Sequence, residues 1–360
     1  MALLVLSKLK LDEAMLNYIR IDGDSMVPKY MQIINSIIDN VSIGNIKIGE
    51  KIPSINTLSQ EFYLSRDTVE RAYNILKKKN VVVSVRGRGT YIAEADLTRK
   101  LKILFLVNKL SPYKLKVYNA FSETMGEHCN VDIHSFHCDQ TLFEELMDKY
   151  KSSYDYYVIL PHFRTKNLCY LSSTSKVSSV INNIPKDKLV LLDNCNYQIK
   201  GDFISVYQDY ENDIFTALET GHKKISNYQK LNLVCPRRTF YPYPTKILDG
   251  FRKFCAHNGF DFEIIEEVSS EFKVEKHNLY ITIEENDLVN IMSQIKKCRH
   301  KLGADVGVIS YNDTPLKQVL GISVFSLDFD DMGTQAAQMI LENKKDKVKA
   351  SFNFIDRESA

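Results

Sequence analysis

The chain has 360 residues, of which 44% are hydrophobic and 26% are charged. The composition excludes a disordered or fibrous chain, and the length is sufficient for two or three domains. The formal net charge is only +2, so charge has to be analysed locally. No stretch reaches the ~20 consecutive apolar residues that span a bilayer. The seven cysteines are scattered and odd in number, which favours a reducing compartment, and we expect a cytoplasmic protein.

Residues 26–93 have the pattern of a small helical domain that ends in a β-hairpin. Apolar residues recur at helical spacing from Tyr30 to Val41, and Gly44 follows as a helix terminator. Ser54 and Ser65 each stand where an N-cap residue is expected, before a second and a third helix. The buried stripe of the third helix is predicted to comprise Val69, Ala72, Tyr73 and Leu76.

The hairpin "VVVSVRGRGTYI" (81–92) completes the order helix, helix, turn, helix, hairpin, which is the order of a winged helix-turn-helix. Between Phe62 and Ala93 there are seven Lys or Arg residues and two Asp or Glu residues, a local excess of five positive charges. A concentrated basic face of this kind indicates nucleic-acid binding.

The turn "RGRGT" (86–90) has three interpretations: a phosphate-binding loop for a nucleotide, the tip of a DNA-contacting wing, or a solvated turn. Nucleotide loops follow GxxxxGK[ST] or GxGxxG and lie between a strand and a helix. This turn matches neither pattern and lies between two strands. Its glycines permit positive φ, and Arg86 and Arg88 can reach a minor groove or flanking phosphates. The wing is therefore preferred, with the plain turn as the alternative.

Residues 94–100 are polar and predict a linker, and residues 101–360 alternate apolar runs with helical segments. Apolar runs of this type indicate strands buried on both faces, as in parallel sheets. The alternation predicts an α/β domain of doubly wound layers, and its length is consistent with two lobes. The predicted strands are LKILFLV (101–107), VDIHSF (131–136), YYVILP (156–161), KLVLLD (188–193), LNLVC (231–235), LYITI (279–283) and DVGVIS (305–310).

The N-terminal pattern resembles the winged helix of the GntR family of bacterial transcription regulators. The motifs that carry the resemblance are GEKIPS (49–54), LSRDTV (64–69) and GRGTYI (87–92). It implies a homodimer on a palindromic operator. The sequence departs from the family pattern at Ile55, Asn56, Glu70 and Arg71, so Asn56 and Glu70 are assigned no base contact. From the resemblance and the basic face together, we expect the DNA-binding residues to be Ser54, Ser65, Arg66, Asp67, Thr68, Arg71, Lys78, Arg86, Gly87, Arg88, Gly89 and Thr90.

The larger region resembles a second family, the periplasmic-binding-protein-like sensor of LacI-type regulators. The resemblance lies in residues 204–225, 244–259, 305–341 and 352–359. It implies two α/β lobes joined by crossovers, with a small ligand, often a sugar, between them. The LacI-type N-terminal domain is absent, so the sequence combines parts of two regulator types.

Ligands of open α/β sheets bind beyond the carboxyl ends of the strands. The resemblance places Asn312 where the family often has a sugar-binding aspartate, and Asp193 at another polar contact. Ile247 stands where many members have arginine, and Lys246 is a candidate substitute. The expected effector-binding residues are Asn108, Tyr113, His162, Phe163, Asp193, Gln208, Asp209, Lys246, Glu285, Asn312 and Asp313.

Enzymatic interpretations have little support. His128, Cys129, His134, His137 and Cys138 invite a zinc site, but there is no CxxC pair, and there is no GxSxG elbow. We therefore expect no cofactor and no bound metal. The sequence predicts a regulator that binds double-stranded DNA as a homodimer and responds to a small molecule, with a monosaccharide as the first candidate. The alternatives are a constitutive DNA-binding protein whose α/β domain only dimerises, and a sugar-processing enzyme.

Overall fold

The computed structural model describes residues 15–23, 25, 27–42, 44–93, 100–172, 174–193 and 199–360. The predicted linker, 94–100, lies outside these residues except for Lys100. The chain divides into two compact units, Met1–Lys100 and Leu101–Ala360. They are called here the N-terminal unit and the C-terminal unit.

Between residues 27 and 93, the described part of the N-terminal unit has three helices and a three-stranded antiparallel sheet in the order β1-β3-β2. Its elements are α1 (Lys29–Ser42), β1 (Lys51–Ile52), α2 (Ile55–Glu61), α3 (Arg66–Lys78), β2 (Val82–Val85) and β3 (Gly89–Ile92). The predicted stripe on α3 is confirmed, since Val69, Ala72, Tyr73 and Leu76 are buried against the other helices.

The packed core of this unit extends upstream of the predicted boundary at residue 26. Met15 and Ile19 are buried with the isoleucines of α1. The backbone there is also tied down, since Asn40 Nδ2 donates to the Tyr18 carbonyl at 2.9 Å. Residues from Met15 therefore belong to the unit, although their sequence shows no clear periodicity.

The C-terminal unit contains two six-stranded sheets and a short hairpin. Its strands are β4 (Leu101–Val107), β5 (Cys129–Ser135), β6 (Tyr156–Ile159), β7 (Phe163–Arg164), β8 (Tyr170–Leu171), β9 (Leu189–Asp193), β10 (Ile204–Tyr207), β11 (Lys230–Val234), β12 (Asp261–Ile265), β13 (Asn278–Thr282), β14 (Gly307–Tyr311), β15 (Ser323–Leu327), β16 (Lys347–Lys349) and β17 (Phe352–Ile355). Its helices are α4 (Pro112–Met125), α5 (Gln140–Lys149), α6 (Ser175–Asn182), α7 (Tyr210–Ile225), α8 (Lys246–Asn258), α9 (Glu285–Lys297), α10 (Pro315–Val319) and α11 (Phe329–Leu341).

Each six-stranded sheet forms one lobe. The first lobe has the strand order β16-β10-β9-β6-β4-β5, and all of its pairings are parallel. The second has the order β12-β11-β13-β14-β15-β17, with only β17 antiparallel. Apolar clusters cover both faces of each sheet. This arrangement explains why the strand sequences are continuous apolar runs.

Within the described residues, the chain passes between the lobes three times, at 207–210, 327–329 and 349–352. These crossovers lie side by side: the Ala350 N–H donates to the Tyr207 carbonyl at 2.8 Å, and the Asp328 N–H donates to the Ser351 carbonyl at 2.9 Å. The lobes are thus joined by a narrow, hydrogen-bonded connection at the edge of the cleft between them.

Candidate functional site

The start of α3 is an exposed, capped helix end. Ser65 Oγ accepts the Thr68 N–H at 3.2 Å and lies 2.8 Å from Thr68 Oγ1. The predicted N-cap is therefore confirmed, as is that of Ser54, which accepts the Thr57 N–H at 3.0 Å. Arg66 and Asp67 form the exposed first turn of α3. A helix end of this kind can enter a groove because its side chains and N–H groups point outward.

The turn between β2 and β3 has the geometry that its glycines require. Gly87 has φ +75° and Gly89 has φ +120°, so the expectation of positive φ is confirmed. The Arg88 N–H donates to the Val85 carbonyl at 3.0 Å, which closes the turn. A Cβ at Gly89 would lie 2.5 Å from Lys51 Cε. Arg86 and Arg88 project from this turn and are exposed.

The other predicted DNA-binding residues have different surroundings. Lys78 is the exposed last residue of α3, and Thr90 Oγ1 lies 3.0 Å from Ser84 Oγ on the hairpin. The guanidinium of Arg71 lies 4.0 Å from the ring centroid of Tyr30 on α1. This cation–π contact means that Arg71 also stabilises the packing of α3 against α1.

A cleft lies between the two lobes of the C-terminal unit, at the carboxyl ends of their strands. Six of the predicted effector-binding residues line it: Asn108, Tyr113, His162, Asp193, Gln208 and Asn312. The sequence argument from strand ends therefore brings residues from five separate segments to one place. Asp193 and Asn312 reach it with positive φ, +70° and +60° respectively, which re-aims the chain as it leaves β9 and β14.

Two of the predicted effector residues require a correction because they point elsewhere. Phe163 is fully buried in an aromatic cluster, with its ring centroid 5.1 Å from that of Phe136. Lys246 is exposed, and its Nζ lies 2.8 Å from Glu211 Oε2 on the outer face of the second lobe. The neighbouring Ile247 lines the cleft instead, so Lys246 does not substitute for the arginine found at that position in many relatives.

Three further predicted carboxylates lie beside the cleft and are not among its lining residues. Asp209 caps α7 through the Asn212 N–H, and Asp313 accepts hydrogen bonds from Arg357 at 2.8 Å and Gln318 at 2.9 Å. Glu285, which is exposed, accepts a hydrogen bond from Tyr113 Oη at 3.3 Å. These carboxylates organise helix starts and neighbouring side chains. Their assignment as direct effector ligands stays a prediction.

The polar centre of the cleft is a network that sequence reasoning identified only in part. The Asp193 carboxylate accepts hydrogen bonds from the Lys114 ammonium, from His162 Nε2 at 2.9 Å and from Tyr210 Oη at 2.7 Å. All four residues are at least nine-tenths buried. Lys114 and Tyr210 were not predicted from the sequence. Each lies in the first turn of a helix, where a polar residue is expected to be exposed to solvent. The available signal was that both helices follow strands that end at the cleft.

The contacts within this network determine which of its groups are charged near pH 7. Burial disfavours the charged form of Asp193, but Lys114 and His162 outweigh it and hold the pKa of the carboxyl well below its usual range. Burial lowers the pKa of His162, and the adjacent Asp193 only partly offsets this effect. His162 is therefore neutral near pH 7, with the proton assigned to Nε2, which donates to Asp193, while Nδ1 accepts from Tyr170 Oη at 3.4 Å.

Two buried polar atoms in the lining have no hydrogen-bond partner in the described part of the chain: Asn108 Oδ1 and Tyr311 Oη. Burying such groups unpaired costs free energy, so they mark positions where a bound molecule would supply the partner. Tyr113 and Phe329 stack beside them with ring centroids 5.3 Å apart. The cleft thus combines unpaired polar groups with an aromatic wall, the combination that binds polyhydroxylated molecules.

A loop of the second lobe, residues 236–245, crosses the mouth of the cleft and contacts the first lobe. Tyr241 Oη lies 3.0 Å from His137 Nδ1, and the Arg164 guanidinium lies 3.9 Å from the Phe240 ring centroid. The Thr239 N–H donates to the Leu168 carbonyl at 3.1 Å. These contacts hold the two lobes close together over the cleft.

Among the described residues, no three His, Cys, Asp or Glu side chains are grouped so that they could hold a metal ion. Of the cysteine–histidine set considered above, Cys138 is buried next to Asn108, and His134 packs against Tyr150 with ring centroids 5.0 Å apart. In that same part of the chain, no helix combines the length and the apolar character needed to cross a membrane.

A winged helix with a basic wing, joined to a two-lobed α/β unit with a polar cleft, defines a regulator class with separate surfaces for a macromolecule and a small ligand. Residues 29–92 match the family model "Bacterial regulatory proteins, gntR family". The chain is 38% identical over 76 residues to the repressor YtrA of Bacillus subtilis, covering 21% of this chain and 58% of that protein. It is 31% identical over 83 residues to the regulator Rv1152 of Mycobacterium tuberculosis, covering 23% of this chain and 68% of that protein. The chain belongs to the gntR family of bacterial regulatory proteins.

In other relatives, the matched segment is a smaller share of the relative's own length. The arabinose metabolism transcriptional repressor of Geobacillus stearothermophilus is 33% identical over 70 residues, which are 19% of each chain. The chain covers 58%, 19% and 39% of the first three relatives.

Solved structures resemble the C-terminal unit in fold. A LacI family transcriptional regulator from Lactobacillus casei with bound glucose aligns with a TM-score of 0.56 at 14% identity, covering 72% of this chain and 99% of that chain. A periplasmic binding protein/LacI transcriptional regulator from Alkaliphilus metalliredigens, complexed with D-xylulofuranose, aligns with a TM-score of 0.53 at 11% identity, with coverages of 72% and 99%. The predicted fold class, a winged helix followed by a two-lobed unit of parallel sheets flanked by helices, is confirmed.

The Asp193 network predicts how substitutions at its centre change the free energy of unfolding. Asp193→Asn leaves the Lys114 ammonium buried without its counter-ion, so we expect the free energy of unfolding of the C-terminal unit to fall by about 3–5 kcal/mol. The double variant Asp193→Asn/Lys114→Met removes both charges and should recover most of this loss. Urea unfolding of the three proteins at pH 7 measures the effect. A double variant less stable than Asp193→Asn alone would contradict the buried ion pair.

Proposed function

We propose that the chain is a transcription regulator whose N-terminal unit binds double-stranded operator DNA and whose cleft binds a small-molecule effector, a monosaccharide. The observation that carries the proposal is the exposed start of α3 in the same unit as a wing that presents two arginines, in a chain of the gntR family. Because such a protein must meet chromosomal DNA, we place it in the cytoplasm.

On DNA, the first turn of α3 enters the major groove and the wing contacts the flanking phosphates or minor groove. Arg66 is the residue best suited to a base edge, since arginine pairs with guanine in bidentate geometry. Ser54, Ser65 and Thr68 lie at helix starts, where hydroxyls and N–H groups contact phosphates. Asp67, Arg71, Lys78 and the turn from Arg86 to Thr90 complete the proposed surface.

In the cleft, Asn108, His162, Gln208 and Asn312 supply polar groups to the effector, and Tyr113 supplies an aromatic face. The unpaired Asn108 Oδ1 and Tyr311 Oη support a ligand rich in hydroxyl groups, because hydroxyls donate and accept at the same atom. Asp193 orients the surrounding side chains rather than binding the effector directly, since its oxygens already accept three hydrogen bonds.

We propose further that the protein acts as a homodimer through α9 and α10. An apolar groove lies between these helices, and Val289, Leu316, Val319 and Leu320 beside it are 59%, 67%, 85% and 51% exposed. Contiguous apolar surface of this kind is unusual on a monomer. A second copy would cover it and would also provide the second winged helix that a two-fold operator needs.

An enzyme on this scaffold is the less favoured alternative. The ionisable groups at the centre of the cleft are Asp193, Lys114 and His162, and they are hydrogen-bonded to one another. An acid, base or nucleophile has to reach the reacting atom, and the Asp193 carboxylate is already engaged by three hydrogen bonds. A protein that dimerises but has no effector is the other alternative, and the sugar experiment below distinguishes it.

Arg88→Ala and Arg86→Ala should weaken binding to every duplex by a similar factor. Each variant should also reduce the slope of log K against log salt by about 1, because one phosphate contact is lost. Arg66→Ala should in addition relax the preference for the selected sequence. Fluorescence anisotropy at several salt concentrations, on a duplex selected by the protein from a random library, measures both effects. Arg252→Ala, on the exposed face of α8, is the matched control. An Arg88→Ala variant with unchanged affinity at every salt concentration would remove the wing from the interface.

Effector binding should change operator affinity about 5- to 150-fold, the range that couplings of ~1–3 kcal/mol produce. The measurement is an operator titration with and without each member of a panel of monosaccharides. Thermal unfolding with the same panel shows which sugars bind. Operator binding that no bound sugar shifts would refute the sensing role, while leaving DNA binding in place.

Val319→Glu should convert the dimer to a monomer, because a carboxylate at the centre of an apolar contact is desolvated without a partner. Analytical ultracentrifugation should give twice 41.5 kDa for the unaltered chain and 41.5 kDa for the variant. Leu341→Glu, at the exposed end of α11, is the control and should remain dimeric. If both variants sediment as dimers, the interface lies elsewhere.

A further inference from the structure

The cleft has an imbalance of charge. Lys109 and Lys114 line it, while Asp193 is the only carboxylate among the described lining residues. His162 is neutral there, as its burial requires. Since two ammonium groups face one carboxylate, the described lining has one positive charge in excess.

Asp193 is committed to Lys114 and does not neutralise Lys109. The ammonium of Lys114 donates to Asp193 Oδ2, and both side chains are at most 10% exposed. His162 and Tyr210 also donate hydrogen bonds to this carboxylate. The excess charge therefore lies on Lys109.

The ammonium of Lys109 has aromatic neighbours in place of an anion. It lies 5.4 Å from the ring centroid of Tyr241 and 5.1 Å from that of Tyr243. No ion pair or hydrogen bond joins Lys109 to any described residue. Burial and the nearby Lys114 lower its pKa. Glu284 lies near enough to oppose this shift, but its carboxylate accepts a hydrogen bond from Tyr243.

The unpaired cation shares the cleft with two other groups that lack partners, Asn108 Oδ1 and Tyr311 Oη. A neutral sugar would satisfy the last two and leave the charge of Lys109 uncompensated. A sugar with an acidic substituent would satisfy all three, and a charge-assisted hydrogen bond to Lys109 is stronger than a neutral one.

We propose that the effector is a monosaccharide that carries an anionic group, either a carboxylate or a phosphate, and that Lys109 binds this group. The inference rests on the proposed function, since it names the chemical class of effector for the same cleft. Lys109 thereby becomes the residue that sets specificity, while Asp193 and its partners set the shape of the site.

The test uses isothermal titration calorimetry of the full chain with matched sugars: glucose and galactose, their uronates, and their 6-phosphates. We expect at least one acidic member to bind at least tenfold more tightly than its neutral parent. The uronate and phosphate arms identify which anion is used. Lys109→Met keeps the apolar stem and removes the charge, so it should reduce binding of the acidic sugar about tenfold or more and change binding of the neutral parent less than about twofold.

Lys116→Met, on the exposed face of α4, is the matched control and should leave every affinity unchanged. Neutral parents that bind as tightly as their acidic derivatives would overturn the inference and leave the sensing role intact. If no sugar of either kind binds, both the inference and the proposed sugar effector fail. Anisotropy with operator DNA is measured on the same preparations and reports separately on the N-terminal unit.

Discussion

The ion pair between Asp193 and Lys114 is the interaction on which the cleft depends. It joins the end of β9 to the start of α4, and Tyr210 extends it to α7, whose side chains pack in the second lobe. A charge buried to this degree is tolerated only when its partners are fixed. The network therefore holds together the end of β9 and the starts of α4 and α7. Of these, α7 directly follows the crossover at 207–210. Tyr210 thus links this centre to the core of the second lobe.

The surfaces of the two units have different physical requirements. A wing and a helix end bind a polyanion through exposed cations, whose effect is screened by salt. The proposed effector would meet buried groups in the cleft, where an unpaired atom costs far more than it does in water. A regulator has to couple the two, and thermodynamics requires that the coupling be reciprocal, so that DNA alters effector affinity by the factor with which the effector alters DNA affinity.

Most of the fold could be derived from the sequence because local and long-range signals agree. Ser54 and Ser65 cap their helices where the hydroxyl is expected, and the stripe on α3 follows directly from helical spacing. The strand ends also led to the cleft, because the carboxyl ends of parallel strands meet at one edge. Met15 and Ile19 were not predicted because the described part of their segment, a helical end at 15–16 followed by a turn, is too short to show a periodicity.

The cleft was predicted less completely than the fold, for reasons that individual residues make clear. Phe163 follows β6 just as His162 does, but its side chain turns into an aromatic cluster while that of His162 turns toward Asp193. The position of a residue in the sequence does not determine which way its side chain points. Tyr311 was not among the expected effector-binding residues, although its hydroxyl is one of the two unpaired groups in the described lining. Lys246 and Ile247 are adjacent on α8, but the first is exposed and the second lines the cleft, so the substitution of one for the other could not be judged without knowing which face of the helix is buried.

The adjacency of β16 and β17 in the sequence has a consequence for biosynthesis. β16 completes the edge of the first sheet and β17 that of the second, and only Ala350 and Ser351 separate them. The last strand of each sheet thus comes from the same short stretch of chain, with β16 translated first and β17 directly after it. The two lobes therefore complete their sets of strands at nearly the same point of translation, although the first sheet begins far earlier in the chain.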